Sequence, residues 1–508
     1  MNQTEFSMEE LLHWLKACAP DAQLSSDSRT IRQGDIFFAA LVHHSDGRAH
    51  IRHAIDSGAV AVVYEADNFV WDETLTVPHQ GVSQLNTVLG NIASAWYGQS
   101  EQPLFSVAVT GTNGKTSCTQ WLAKALSLNG LNTAVIGTLG VGQYKNGIAG
   151  ALAETGYTTP DAINLQRQLA DLRTQGADAL AIEASSIGLQ QGRLNGLHVD
   201  VAVLTNLTRD HLDYHGDMAA YAQAKSILFQ WSTLTTAVIN LDDPFGATLI
   251  AQMQTAGGKT RCIAYTLEEN NIPGLEVLRA SHLKTTHAGT SFHLESPFGS
   301  GLVKTQLIGR FNVSNILAVM AVMLSKGISW NKVVSTIEKL PPVPGRMQLL
   351  GTAGHVMVVI DYAHTPDALE KTLEALKRVA DERHGELWCV FGCGGDRDPG
   401  KRPQMGKIAE IAQHVVVTSD NPRTEVPATI IQDILQGMTG SPQVIEDRAN
   451  AILFAIKHAT NQDVVLLAGK GHETYQDING KKWPFSDEQH ASLALATVAT
   501  SGNMKRVS

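Results

Sequence analysis

Residues 104–120 read LFSVAVTGTNGKTSCTQ. An apolar, β-branched run ends in Gly-Thr-Asn-Gly-Lys-Thr and passes straight into a helical pattern, QWLAKALSLNG at 120–130. A glycine-rich turn between a strand and a helix is the setting of a phosphate-binding loop. Gly111 and Gly114 let the backbone come close to phosphate oxygens, and the successive N–H groups through Thr112, Asn113 and Ser117 form an anion nest. Lys115 is placed to reach the outer phosphates, and the Thr116 hydroxyl to ligate Mg²⁺. The first glycine of the general pattern falls at Val109, so the loop is a variant. A tight turn with a chance GKT is the plain alternative; the strand before and the helix after favour phosphate.

Working outward, similar apolar runs recur: NTAVIGT (132–138), DALAIEAS (178–185), VDVAVLTN (199–206), HVMVVIDY (355–362), ELWCVFG (386–392), HVVVTSD (414–420) and DVVLLAG (463–469). Runs without polar alternation suit strands buried on both faces. Helical segments such as DALEKTLEALKRVADE (367–382) separate them, which predicts an α/β chain with parallel sheets. Polar or glycine-rich segments follow run after run, and ligands of such sheets bind at the carboxyl ends of strands. The length of 508 residues favours three domains. We draw them at 1–89 (small, α/β), 90–341 (central, with the phosphate loop) and 342–508 (C-terminal, Rossmann-like), the last joint being PPVPG at 341–345.

The formal net charge of -10 argues against general affinity for nucleic acid or acidic membranes. The GGDRDPGKRP stretch (394–403) is a local basic exception. The five cysteines are scattered and fit neither a disulfide framework nor a zinc site. The N-terminus reads as an amphipathic helix that starts acidic, not as a signal peptide. These features predict a cytoplasmic protein, without membrane insertion.

TGTNGKT resembles the nucleotide loop of the Mur ligase family. EASSIGLQQGR (183–193), TNLTRDHLDYHGDMAAYAQAKSILF (205–229), GRFNVSN (309–315), PGRMQ (344–348), DYAHTPDAL (361–369), GCGGDRDPGKRP (392–403), SDNPR (419–423) and GKGHE (469–473) resemble further motifs of the family, in their usual order. The resemblance covers almost the whole chain. It implies ATP-dependent amide-bond formation, with Mg²⁺: ATP phosphorylates the terminal carboxylate of UDP-MurNAc-L-Ala-D-Glu, and the amine of a diamino acid attacks the acyl phosphate.

Site roles follow from the same resemblance. It implies that Glu183 and His211 ligate Mg²⁺ beside Thr116. It implies that Lys225 carries a carbamate, although helix periodicity alone reads it as an ordinary exposed lysine. Lys115, Glu183, His211 and Lys225 are thus the expected catalytic set. Asn312, Asn315, Arg346 and Asp361 are implied as further ATP contacts, with helix capping the alternative for Asn312. Ser26, Ser28, His43, His44 and Ser45 are implied on the uridine side, and Thr158, Thr159, Ser185, Gln191 and Arg193 on the muramoyl-peptide side. Small hydroxyl residues in loops are otherwise turn formers. Ile187 stands where the family usually has histidine.

Acceptor choice is expected in the C-terminal block, from Asp420, Asn421, Pro422 and Arg423, with Arg397, Gly469 and Glu473. In the family an arginine at SDNPR goes with meso-2,6-diaminopimelate and its absence with lysine. A planar guanidinium can hold the second carboxylate of diaminopimelate bidentately. Alternatives are a lysine-adding ligase, which Arg423 disfavours, and a folylpolyglutamate synthase-like ligase, which the N-terminal block and SDNPR disfavour. A nucleotide-binding switch without ligase activity is disfavoured by the intact Glu183, His211, Lys225 and Glu473. A monomer acting on small molecules is expected.

Overall fold

The computed structural model describes residues 7–42, 45–98, 104–270, 272–286, 288–351 and 356–504. His43 and His44 lie outside the described residues. The chain forms two compact units: Met1–Thr110, Leu126–Ala202 and Gln223–Thr236 in one, and Gly111–Ala125, Val203–Ala222 and Ala237–Ser508 in the other.

The first unit begins with the helix Met8–Cys18, fixed by a capping box in which the Ser7 hydroxyl accepts from Glu10 N and the Glu10 carboxylate accepts from Ser7 N. A four-stranded parallel sheet follows: Leu24–Ser25, Ile36–Ala39, Ala61–Glu65 and His79–Val82. The helix Leu85–Trp96 buries Leu85, Leu89, Ile92 and Ala93 in one core with Leu24, Ile36, Phe38 and Val63 of that sheet. The domain boundary expected at 89 therefore falls inside an element that completes the N-terminal core. In the same unit, Phe105–Thr110 pairs in parallel with Ala179–Glu183, which pairs in parallel with Thr133–Gly137. All five residues of the last two strands are buried, as strands covered on both faces must be.

In the second unit the strands Thr236–Asn240, Arg261–Thr266, Glu276–Thr286, Gly289–Ser296 and Gly299–Thr305 lie side by side in that order. The last three run antiparallel. The helix Arg310–Ser325 is apolar almost all round, and its residues 315–324 are all buried. A six-stranded sheet closes the chain, in the order Gln348–Leu350, Met357–Asp361, Val464–Ala468, Leu387–Phe391, His414–Val417 and Gln443–Val444. Every pair in it is parallel except the first. Separate apolar cores cover its two faces, one built on Leu369, Leu373 and Leu376 and the other on Ile452, Ala455 and Ile456. The fold is α/β with parallel sheets. Among the described residues no helix is long and apolar enough to cross a membrane.

Candidate active site

In the second unit the phosphate loop is held from behind by the segment that follows Val201–Leu204. Thr112 N donates to Asn206 O and Asn113 N to Asn206 Oδ1, both at 2.9 Å, while Thr205 Oγ1 donates to Asn113 O at 2.6 Å. Two glycines are required by this packing. A Cβ on Gly111 (φ +145°) would lie 1.8 Å from Thr205 Oγ1, and one on Gly114 (φ +87°) 2.5 Å from Asn315 Oδ1. The Lys115 ammonium folds over the loop, donating to Gly111 O and Thr112 O at 2.9 Å each. Thr116 and Ser117 are buried in the first turn of the helix Lys115–Leu128.

The C-terminal segment reaches this loop. Arg346 Nη2 donates to Thr116 Oγ1 at 3.1 Å, and its guanidinium stacks 4.3 Å from the centroid of Tyr362. Its Nε is buried without a hydrogen-bond partner among the described residues, a donor suited to an anionic ligand. Burial pushes the Asp361 carboxyl up, against the pull of Arg346 and the Met347 N–H that it accepts at 2.8 Å. Asn113, Gly114, Ser117, Asn312, Asn315, Arg346 and Asp361 all line one cavity of about 1390 Å³. Gly111, Thr112, Lys115 and Thr116 form the loop behind it. Asn312 also has a backbone task, since its Nδ2 donates to Ile308 O at 2.8 Å, one turn back.

Two residues at the loop were given no role from sequence. Asp210 is half-buried beside the phosphate loop. Burial alone would raise its pKa, but His211, His364, Lys401 and Lys115 together hold it below the usual value. His364 is half-buried too, and its pKa is pushed down to about 4, first by loss of solvent around the ring and then by Lys401. Its Nδ1 lies 2.8 Å from Tyr362 O, which fixes the neutral tautomer with the proton on Nδ1. These residues are distant in the chain, so only the neighbouring RDH and DYAH motifs could have signalled them. His211 itself takes a left-handed backbone (φ +53°) and lies 3.5 Å from Asp210.

The acceptor-side residues gather at the carboxyl ends of the C-terminal sheet. Asn421 Nδ2 donates to Glu473 Oε2 at 2.8 Å, and Asn421 Oδ1 accepts from Lys470 Nζ at 3.0 Å. Lys470 is fully buried and paired with Glu473 at 2.9 Å. Asp420 and Pro422 flank Asn421, and a Cβ on Gly469 (φ +111°) would meet Asp420 Oδ2 at 2.5 Å. Arg423 Nη1 donates to Gly395 O at 2.6 Å. Arg397 is exposed. Within the basic stretch, Arg402 is buried against Glu425 and Asp433, and Asp398 pairs with Arg209.

In the first unit, Glu183 is fully buried at a strand end. Its Oε1 accepts from Thr138 N at 2.7 Å and its Oε2 from Thr138 Oγ1 at 3.1 Å. Thr158 Oγ1 lies 3.2 Å from Thr138 Oγ1. Thr159 donates to Glu183 O at 2.8 Å, and Ser185 caps the short helix Ser186–Gln190 by accepting from Gly188 N. Arg193 donates to Gln191 Oε1 and Thr159 O. Ile187 lies in the helix capped by Ser185. Ser28 is buried, Ser26 lies 3.4 Å from Asp161, and Ser45 is exposed. Lys225 is 1 % exposed, which overturns its reading as an exposed helix lysine.

Three family models match the chain in order: "Mur ligase family, catalytic domain" at 22–97, "Mur ligase middle domain" at 109–323 and "Mur ligase, glutamate ligase domain" at 345–471. The UDP-N-acetylmuramoyl-L-alanyl-D-glutamate–2,6-diaminopimelate ligase of Janthinobacterium sp. (strain Marseille) is 56% identical, covering 98% of this chain and 99% of its own. The ligase of the same name from Ralstonia nicotianae is 48% identical, covering 96% and 95%. A solved structure of a ligase of that name superposes with a TM-score of 0.67 at 39% identity, covering 94% of each chain. Matched in order by three family models and by a 56% identical relative over 98% of its length, this chain belongs to the Mur ligase family.

Proposed function

We propose that this chain joins meso-2,6-diaminopimelate to UDP-MurNAc-L-Ala-D-Glu, using ATP and releasing ADP and phosphate. The observation that carries the reading is the cavity lined jointly by the phosphate loop, Asn315, Arg346 and Asp361, in a chain whose full-length relatives are named as diaminopimelate ligases. A carboxylate oxygen of the D-glutamyl residue attacks the γ-phosphorus, the bridging P–O bond breaks and ADP leaves. The neutral acceptor amine then attacks the acyl carbon, the C–O bond to phosphate breaks, the amine loses its proton and phosphate departs.

The protein's part is to position reactants and offset charge. Lys115 and Arg346 bring fixed positive charge to the triphosphate, and Asp361 and Asn315 line the rest of the nucleotide cavity. Mg²⁺ takes most of its ligands from phosphates and water. In the second unit the Thr116 hydroxyl is a hard oxygen donor of the kind it prefers, and His211 would add an imidazole; in the first unit the Glu183 carboxylate is a donor of the same hard kind, held by Thr138 N and Oγ1. The ion would shield the oxygens of the transferred phosphoryl group. Burial of Lys225 fits a carbamate, which replaces an ammonium by an anion and can accept hydrogen bonds. Ser26, Ser28, His43, His44 and Ser45, with Thr158, Thr159, Ser185, Gln191 and Arg193, take the UDP-muramoyl dipeptide. Arg423, with Arg397, holds the distal carboxylate of diaminopimelate, and Glu473, Asn421, Asp420, Pro422 and Gly469 frame its ammonium end. The enzyme works in the cytoplasm as a monomer.

Phosphate release from ATP tests this. It should require the UDP-muramoyl dipeptide and diaminopimelate together, and be far slower with L-lysine or L-ornithine. Equal release with L-lysine, or release with no acceptor, would sink the proposal.

A further inference from the structure

Arg423 has a left-handed backbone, φ +50°. A bulky residue holds that conformation only where its surroundings impose it. Here they come from a peripheral β-hairpin, Tyr475–Ile478 paired with Lys481–Pro484. Asn479 and Gly480 make its two-residue turn, with φ +51° and +73°, the signs of a tight type I′ hairpin.

The hairpin grips the 420–423 loop along its length. Gln476 Nε2 donates to Asp420 O at 2.8 Å, and Asp477 N donates to Asn421 Oδ1 at 2.9 Å. Arg423 N donates to Asp477 O at 3.0 Å, and Asn479 N to Arg423 O at 2.7 Å. Arg423 is thus zipped on as a parallel bridge to Ile478. From the opposite side Gly395 O accepts from its guanidinium and Asp396 accepts from Thr424 Oγ1. The arginine is aimed from two sides, and the hairpin supplies the side that sets its backbone. None of the hairpin residues lines the nucleotide cavity.

We infer that the 475–484 hairpin is the positioning element for acceptor selection, with Gln476 as its positioning residue. It acts by fixing the direction in which Arg423 presents its guanidinium, and so the preference for an acceptor with a second carboxylate. The inference rests on the acceptor assignment proposed above.

The test uses the full chain and two variants, Gln476→Ala and Gly480→Val. Gly480 has open space around it, so valine there acts through turn strain alone. Loss of one neutral hydrogen bond predicts a five- to tenfold rise in KM for diaminopimelate, roughly, with kcat and KM for ATP changed by less than about twofold. The preference over L-lysine should fall by a similar factor. Hydrogen exchange in the peptide spanning 420–424 should quicken in both variants. Unchanged exchange overturns the inference, as does a KM for ATP that rises in step. An unchanged preference with only a lowered melting temperature marks a merely structural hairpin and also overturns it. If the parent ignores diaminopimelate, the acceptor assignment fails, while the exchange measurement still decides whether the hairpin holds Arg423.

Discussion

Gly114→Ala should cripple nucleotide use in a protein that still folds. The added Cβ would stand 2.5 Å from Asn315 Oδ1, 3.1 Å from its Cγ and 3.2 Å from its Nδ2. Asn315 lies on the buried helix Arg310–Ser325, so its amide can give way only by rotating out of its place in the cavity. Holding alanine at φ +87° costs about 1–2 kcal/mol, and forcing Asn315 off its rotamer adds about 0.5–1.5 kcal/mol. A total of about 1.5–3.5 kcal/mol, if it falls on the bound state, is roughly a 10- to 400-fold loss in kcat/KM for ATP. Gly130→Ala is the control: it too has a positive φ, +93°, but nothing within 4 Å of the new Cβ. It should lose about 1 kcal/mol of stability and no nucleotide affinity. Steady-state kinetics with ATP varied, beside a thermal melt of each variant, reads both effects. If Gly114→Ala keeps the parent KM and kcat, the close approach of Asn315 does not shape the nucleotide site and the reasoning is refuted.

Other predictions are sharper in one variable. Arg423→Ala should lower kcat/KM for diaminopimelate by about 10- to 200-fold, the range of a lost charged hydrogen bond, and leave KM for ATP near the parent value; equal losses toward L-lysine would contradict it. Arg448 and Asp487 form a fully buried ion pair at 2.6 Å, so Arg448→Ala should cost about 3–5 kcal/mol in chemical denaturation, while Arg448→Met with Asp487→Leu regains most of it. His364 has a folded pKa near 4, below its unfolded value, so protons favour the unfolded chain. Its stability contribution is intact above about pH 6.5 and is lost as pH falls toward 4, by up to about 3 kcal/mol. His364→Gln should flatten the denaturation-versus-pH slope over that window, and an unaltered slope would count against a neutral imidazole at this position.

Much of the fold was legible because buried parallel strands leave an unmistakable trace. LFSVAVTG, DALAIEAS and DVVLLAG are apolar without alternation, and each is a strand covered on both faces. The antiparallel strands between 276 and 305 left no such trace: Gly299–Thr305 alternates exposed positions with half-buried or buried ones, a pattern weaker than a continuous run. The boundary drawn at 89 lies within the helix Leu85–Trp96; from sequence that helix looks like the start of the next block, and only its packing shows which core it serves. Within the site, the phosphate loop was readable because its parts are adjacent in the chain. The Asp210–His364–Lys401 cluster was not, since its members meet only through the fold. Lys225 shows the limit of periodicity: a lysine among alanines on a helix reads as exposed, and tertiary packing buries it.

The most direct measurement is a competition. The purified chain is given ATP, Mg²⁺, UDP-MurNAc-L-Ala-D-Glu and equal amounts of meso-diaminopimelate and L-lysine, and the UDP-linked products are weighed by mass spectrometry. The account predicts one dominant product, heavier than the dipeptide by diaminopimelate less water, with phosphate formed in equal amount. A dominant lysine adduct, or phosphate without any adduct, would contradict it.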